Sequence, residues 1–191
     1  DITTSIGITM YPNDSADTQM LLKNADIAMY QAKENGRNNV TFFTERMHAE
    51  LMEYHELERD IREALRLEEF HVVYQPKVNA HNRRLQGLEA LLRWTSPTRG
   101  KVSPGTFIPV AEESGHIIPL GYWVLNQVCQ TLKTWEEKGL PRVPVSVNVS
   151  ARQFQQPDFH KRVAQILSPH DVDPALIEIE LTEGLVMEDS D

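Results

Sequence analysis

The chain reads PVSVNVS at residues 144–150 and LIEIELTE at residues 176–183, and GLEALLRW stands earlier, at residues 87–94. In the first two stretches polar residues recur at every second position, the period of a β-strand whose side chains alternate between two faces. In the third stretch the same period puts Glu89 and Arg93 on one face, with Leu91 between them. Strands covered by helices on both faces should instead be almost continuously apolar. The three stretches therefore predict strands of a sheet that carries polar chemistry on one shared face.

The residues around these stretches predict strands and helices in turn. The predicted elements are strands 70–77 and 84–94 joined by a turn at 81–83, helices between about 105 and 138, strand 143–150, helix 157–168 and strand 176–182. This alternation favours an α/β fold with a parallel sheet and right-handed crossovers. About 124 residues follow position 67, whereas a closed eight-fold β/α barrel needs ~250. We therefore expect about half of a TIM-like barrel.

The first 67 residues are organised differently. An alternating strand opens the chain, a helix is predicted over 18–34 with Gly36 placed to end it, and a short strand covers 39–43. Thr44 suits the N-cap of a second helix, which we interpret as a rigid connector between two domains. The predicted division of the chain is residues 1–43, 44–67 and 68–191.

The chain is acidic, with 28 Asp and Glu against 19 Lys and Arg and a net charge of −9. This balance argues against non-specific binding to duplex nucleic acid or to an anionic membrane. Cys129 is the only cysteine, which excludes an intrachain disulfide and a cysteine-built zinc site. Because the sequence shows neither a long apolar run nor a signal-peptide pattern, we expect a cytoplasmic segment without membrane contact.

Three polar residues occupy late positions on the shared face of the predicted strands: Glu89, Asn148 and Glu180. In an eight-fold barrel the C-terminal strand ends form the mouth of the active site. Two carboxylates held close together repel by roughly 4 kcal/mol at an effective dielectric near 20, and a divalent cation would offset that repulsion. All-oxygen donors favour Mg²⁺ or Mn²⁺. Arg93, on the same face, could hold a phosphate.

The alternating pattern also fits an ordinary antiparallel sheet with one face in water. On such a sheet Asn148, Glu178 and Glu180 would meet only solvent. The pattern by itself leaves both interpretations open.

Five motifs follow one another along the second half of the chain. They are YQP at 74–76, EALLRW at 89–94, Pro104 with FIPVAE at 107–112, NVS at 148–150 and ELTE at 180–183. In order and spacing they resemble the first half of EAL domains. EAL domains are cyclic-di-GMP phosphodiesterases built as modified TIM barrels.

The resemblance implies a role for individual residues. The implied metal ligands are Glu89, Asn148 and Glu180. Arg93 would contact a substrate phosphate, and Gln75 and Leu91 would line the nucleotide pocket. Glu183, also part of the catalytic set, would anchor the loop after a later strand.

The N-terminal residues have a resemblance of their own. TSIGI at 4–8, NADIAMY at 24–30 and GRN at 36–38 resemble the C-terminal end of a GGDEF (diguanylate cyclase) domain. Lys33 and Arg37 match residues that contact the nucleotide triphosphate in that family. They could equally be cations that complement the negative end of the helix dipole.

A complete relative would hydrolyse one phosphodiester bond of cyclic-di-GMP with Mg²⁺ or Mn²⁺ and give linear pGpG. Further motifs of the family are expected downstream of residue 191, so we predict negligible hydrolysis by these 191 residues alone. One alternative is a non-catalytic cyclic-di-GMP-binding regulatory module. Another is a fragment whose open sheet edge pairs with a second copy, giving a homodimer.

Overall fold

The structure is a computed structural model that describes residues 3–181. The chain divides into two compact units, Asp1–Leu57 and Glu58–Asp191. Within residues 3–181, no helix combines the length and the apolar character that a membrane span requires.

The first unit contains a small parallel sheet and a helix. Its elements are β1 (Ile6–Ile8), α1 (Thr18–Glu34) and β2 (Val40–Phe42). The side chain of Asp17 accepts hydrogen bonds from the first backbone N–H groups of α1, and Gly36 follows the helix at φ +92°. Glycine adopts this left-handed conformation without a steric penalty, which is why the helix ends where the sequence predicted.

Helix α2 (Glu45–Arg66) begins immediately after Thr44. The Thr44 hydroxyl accepts a hydrogen bond from the Met47 N–H at 3.4 Å, so this residue caps the helix as the sequence predicted. Ile61 and Ala64, in the part of α2 that belongs to the second unit, are fully buried. The acidic side chains lie on other faces of the helix, so the apolar stripe that contains Ile61 and Ala64 can be buried.

The second unit is a mixed α/β structure. Its elements are β3 (Phe70–Val78), β4 (Leu85–Ser96), β5 (Gly100–Val102), α3 (Pro104–Ser114), α4 (Ile117–Glu137), β6 (Val145–Val149), α5 (Ala151–Phe154), α6 (Phe159–Leu167) and β7 (Ile177–Leu181). The strand order is β3-β4-β6-β7, and β5 pairs with β4. β5 and α5 were not predicted from the sequence, because elements of three or four residues are too short to show a period.

The pairing within this sheet excludes the ordinary antiparallel arrangement that the sequence also allowed for these three strands. β4, β6 and β7 are parallel, whereas β3 is antiparallel to β4 because a short turn joins them. Val145, Val147 and Val149 of β6 are buried, and the first two belong to a core that includes Leu125 and Val128 of α4. The valine face of β6 therefore packs on helices, as in a β/α barrel, and the opposite face carries the polar side chains.

Candidate metal and substrate site

Strand register brings the polar side chains of the second unit together on one face. Gln75 is opposite Glu89, Glu89 is opposite Ser146, and Ser146 is opposite Glu178. Because residues in register share a face of the sheet, these four side chains form a row across β3, β4, β6 and β7. We call the face that carries this row the inner face.

Asn148 and Glu180 lie opposite each other on the inner face, two residues beyond this row on β6 and β7. Asn148 also contacts the neighbouring strand, since its Nδ2 donates a hydrogen bond to Glu89 Oε1 at 2.8 Å. All three predicted metal ligands are therefore on one face of adjacent strands, and two of them are in direct contact.

Glu180 has a partner that the sequence analysis missed. Lys77 of β3 donates a hydrogen bond to Glu180 Oε1, forms an ion pair with it, and also donates to Ser146 Oγ at 2.6 Å. Ser146 Oγ in turn donates to Glu178 Oε2 at 2.7 Å. The only sequence signal for Lys77 was its position two residues after Gln75, which places both on one face of the strand.

The contact between Lys77 and Glu180 stabilises the charged forms of both side chains. The hydrogen bond from Lys77 lowers the pKa of Glu180 and outweighs the opposite effect of partial burial. The hydrogen bond to Glu180 raises the pKa of Lys77. Near neutral pH this contact is therefore an ion pair between an ammonium and a carboxylate.

The predicted ligand set has the donor chemistry that a hard divalent cation takes. Glu89, Asn148 and Glu180 offer carboxylate and amide oxygens, the donors that Mg²⁺ and Mn²⁺ prefer. Within the described part of the chain, no three His, Cys, Asp or Glu side chains are grouped closely enough to hold an ion. The predicted set contains only two such residues, and its third member is an amide.

A cavity of about 200 Å³ adjoins these residues. Leu91 and Arg93 line it from β4 and Asn148 lines it from β6, together with apolar side chains of α3 and α4. Arg93 donates a hydrogen bond through Nη1 to the Leu92 carbonyl at 2.9 Å. Gln75 is exposed on the inner face opposite Glu89. Leu91 and Arg93 therefore line a cavity with Asn148, and Gln75 lies beside Glu89.

Two polar residues of this cavity were not singled out as site residues by sequence reasoning. Burial raises the pKa of the Glu112 carboxyl, and the neighbouring Glu113 raises it further. Gln153 is buried, and its Nε2 has no hydrogen-bond partner among the described residues. The cavity therefore has polar groups inside a largely apolar wall. Their burial depends on the packing of α3, α4 and α5, which the period of one strand does not show.

The remaining predicted residues lie elsewhere. Lys33 is in the last turn of α1, and Arg37 follows with φ +59°. Both side chains are exposed at the C-terminal end of α1, a position compatible with nucleotide contact and with a simple dipole interaction. Glu183 lies outside the described residues.

Comparison with known proteins assigns families to both parts of the chain. Residues 58–191 match the EAL domain family, and residues 1–39 match the GGDEF domain of diguanylate cyclases. The bifunctional diguanylate cyclase/cyclic di-GMP phosphodiesterase MucR of Pseudomonas aeruginosa is 40% identical, over 100% of this chain and 28% of MucR. The cyclic di-GMP phosphodiesterase PdeR of Escherichia coli is 38% identical, over 98% of this chain and 28% of PdeR. The chain thus spans about a quarter of the length of these relatives.

Solved structures show the same fold. The PaMucR phosphodiesterase in complex with c-di-GMP has a TM-score of 0.66 and 38% identity, covering 70% of this chain and 54% of that one. The EAL enzyme Bd1971 with bound cAMP and cyclic-di-GMP has a TM-score of 0.68 and 31% identity, covering 93% of this chain and 47% of that one. The predicted fold class, part of a TIM-like barrel preceded by the end of a second α/β domain, is confirmed.

Proposed function

We propose, from the premise that this chain belongs to the EAL domain family, that the protein carrying it hydrolyses cyclic-di-GMP to pGpG. The resemblance found in the sequence is confirmed by the family match and by relatives that are cyclic-di-GMP phosphodiesterases. The observation that carries the proposal is the hydrogen bond between Asn148 and Glu89, together with the register of Asn148 against Glu180. This geometry supports a single site built from three strands.

Mg²⁺ or Mn²⁺ would be held by Glu89, Asn148 and Glu180. When bound, such an ion supplies charge neutralisation and a more acidic water molecule for attack on phosphorus. The Arg93 guanidinium would contact a phosphate oxygen of the substrate through its fork of donors. Leu91 would form an apolar wall for a nucleotide, and Gln75 would offer an amide beside Glu89.

The test is an assay of pGpG formation by the full-length protein, with wild type and Glu89→Gln compared in Mg²⁺ and in Mn²⁺. We expect the variant to lose at least about 100-fold in rate, because it removes a ligand charge without changing side-chain size. Glu137→Gln, an exposed acid at the end of α4, is the matched control and should retain the wild-type rate. If the wild-type protein forms pGpG neither in Mg²⁺ nor in Mn²⁺, the proposal is contradicted.

A second candidate function is a non-catalytic cyclic-di-GMP receptor. The observation in its favour is that Lys77 forms an ion pair with Glu180, one of the three residues that would otherwise hold an ion. Equilibrium binding of cyclic-di-GMP in EDTA, followed by addition of Mn²⁺, separates the two functions. A receptor would hold the intact ligand under both conditions, whereas the phosphodiesterase would release pGpG once Mn²⁺ is present.

A further inference from the structure

Lys77 connects the two edges of the four-strand path on its inner face. Its strand, β3, and the strand of Glu180, β7, are separated in the sheet by β4 and β6. Three strand spacings amount to roughly 14 Å along a flat sheet. The register also offsets Lys77 and Glu180 by four positions along the strands, roughly a further 13 Å, so the two side chains could not span the diagonal on a flat sheet. The contact therefore requires the sheet to curl, so that both side chains meet above its concave face.

The contact also places a positive charge among three acids. Glu180, Glu89 and Glu178 each act electrostatically on Lys77, and Ser146 links its ammonium to Glu178 through two hydrogen bonds. Carboxylates assembled without a cation repel one another. Lys77 offsets that repulsion within the protein itself, before any ion from solution arrives.

We propose that Lys77 is a positioning residue that holds Glu180 on the inner face in the metal-free protein and is displaced from Glu180 when a divalent cation binds. This inference rests on the metal site of the proposed function. Lys77 occupies Glu180 Oε1, so an ion cannot use that oxygen until the ammonium moves. An ammonium beside a divalent cation is also repelled by it. Glu178, which Ser146 already links to the ammonium, offers an alternative partner nearby.

The first experiment measures Mn²⁺ binding to the full-length protein by titration, with free Mn²⁺ followed by electron paramagnetic resonance. Lys77→Met keeps the length of the side chain and removes its charge. We expect it to bind Mn²⁺ about 10-fold more tightly than wild type, because the competing cation is gone. Lys77→Arg should stay within about 3-fold of wild type. Lys101→Met removes an exposed lysine of β5 and is the control for net charge.

The second experiment measures thermal unfolding in EDTA, where no ion can replace Lys77. Lys77→Met should lower the melting temperature by about 2–4 °C relative to Lys101→Met. Mn²⁺ should then raise the melting temperature of Lys77→Met by more than it raises that of wild type, because tighter binding stabilises more. In EDTA, the double variant Lys77→Met with Glu180→Gln should lower the melting temperature by less than the sum of the two single substitutions, because each of them removes the same contact.

The results separate this inference from the proposed function. Wild-type protein that binds no Mn²⁺ would overturn the metal site and, with it, the displacement of Lys77. Wild-type protein that binds Mn²⁺, with equal or weaker binding by Lys77→Met, would overturn only the displacement. An unchanged melting temperature of Lys77→Met in EDTA would overturn the positioning role, whatever the metal data show.

Discussion

Asp60 of α2 lies between two arginines. Arg99 Nε is 2.8 Å from one of its carboxylate oxygens, and Arg59 Nη2 is 3.1 Å from the other. Partial burial raises the pKa of Asp60, but hydrogen bonds and charge attraction from Arg99 and Arg59 outweigh it, and the net pKa lies below the ordinary value of 3.8. A carboxyl whose pKa is lowered by folding stabilises the folded state above its unfolded pKa and loses that contribution as the pH falls.

We therefore expect Asp60→Asn to lower the free energy of unfolding by about 1 kcal/mol at pH 7. The difference from wild type should shrink as the pH falls below 3.8, the ordinary pKa of the group, because Asp60 is then protonated in the unfolded chain first and in the folded protein only at lower pH. Urea unfolding at pH 7 and pH 3 measures both values. A difference that is the same at both pH values would show that the arginines do not stabilise the carboxylate, and Glu137→Gln serves as the control for loss of one acid.

Cys129 is a second single-residue case. Its side chain is fully buried in α4, and burial raises the pKa of the thiol to about 11. Since the thiolate is the reactive form, we expect no labelling by a disulfide reagent in native protein at pH 8 and stoichiometric labelling in denaturant. Rapid labelling of native protein would contradict a role in packing alone for this residue.

At the scale of elements, the first unit depends on a close approach between β1 and α1. A Cβ at Gly7 would lie 2.1 Å from the Ala25 carbonyl oxygen and 2.3 Å from the Met29 nitrogen. Because both are backbone atoms, rotating a side chain cannot relieve the clash. The strand can therefore pack this tightly only with glycine at position 7.

Gly7→Ala should accordingly destabilise the first unit by about 3 kcal/mol. Gly105→Ala is the matched control, because a Cβ there would come no closer than 3.8 Å to any neighbouring atom. Amide hydrogen exchange over residues 3–43 reads out the local effect. Equal protection of these amides in Gly7→Ala and in Gly105→Ala would show that a methyl group at position 7 does not destabilise the packing of β1 on α1.

At the scale of the whole molecule, the polar face of the sheet accounts for the placement of the site. Predicted ligands from β4, β6 and β7 lie on one face, and the valine face opposite them packs on helices. One layer thus has a packed core on one side and a polar surface on the other. The homodimer expected from the sequence stays a prediction.

Local patterns in the sequence were sufficient for much of this fold. The bounds predicted for α1 are those observed, because helical period, the Asp17 cap and Gly36 all act within a few residues. Alternation placed Asn148 and Glu180 on one face, because strand period is also a local property. Short elements such as β5 were not predicted, because three residues are too few to show a period.

The sequence by itself determined which residues share a face, where α1 begins and ends, and to which family the chain belongs. Only the tertiary structure decided that Lys77 contacts Glu180, although the two are 103 positions apart in the chain. The physical reason is that this contact depends on curvature accumulated across four strands. No residue near Lys77 or near Glu180 encodes that curvature alone, whereas alternation and capping are settled by immediate neighbours.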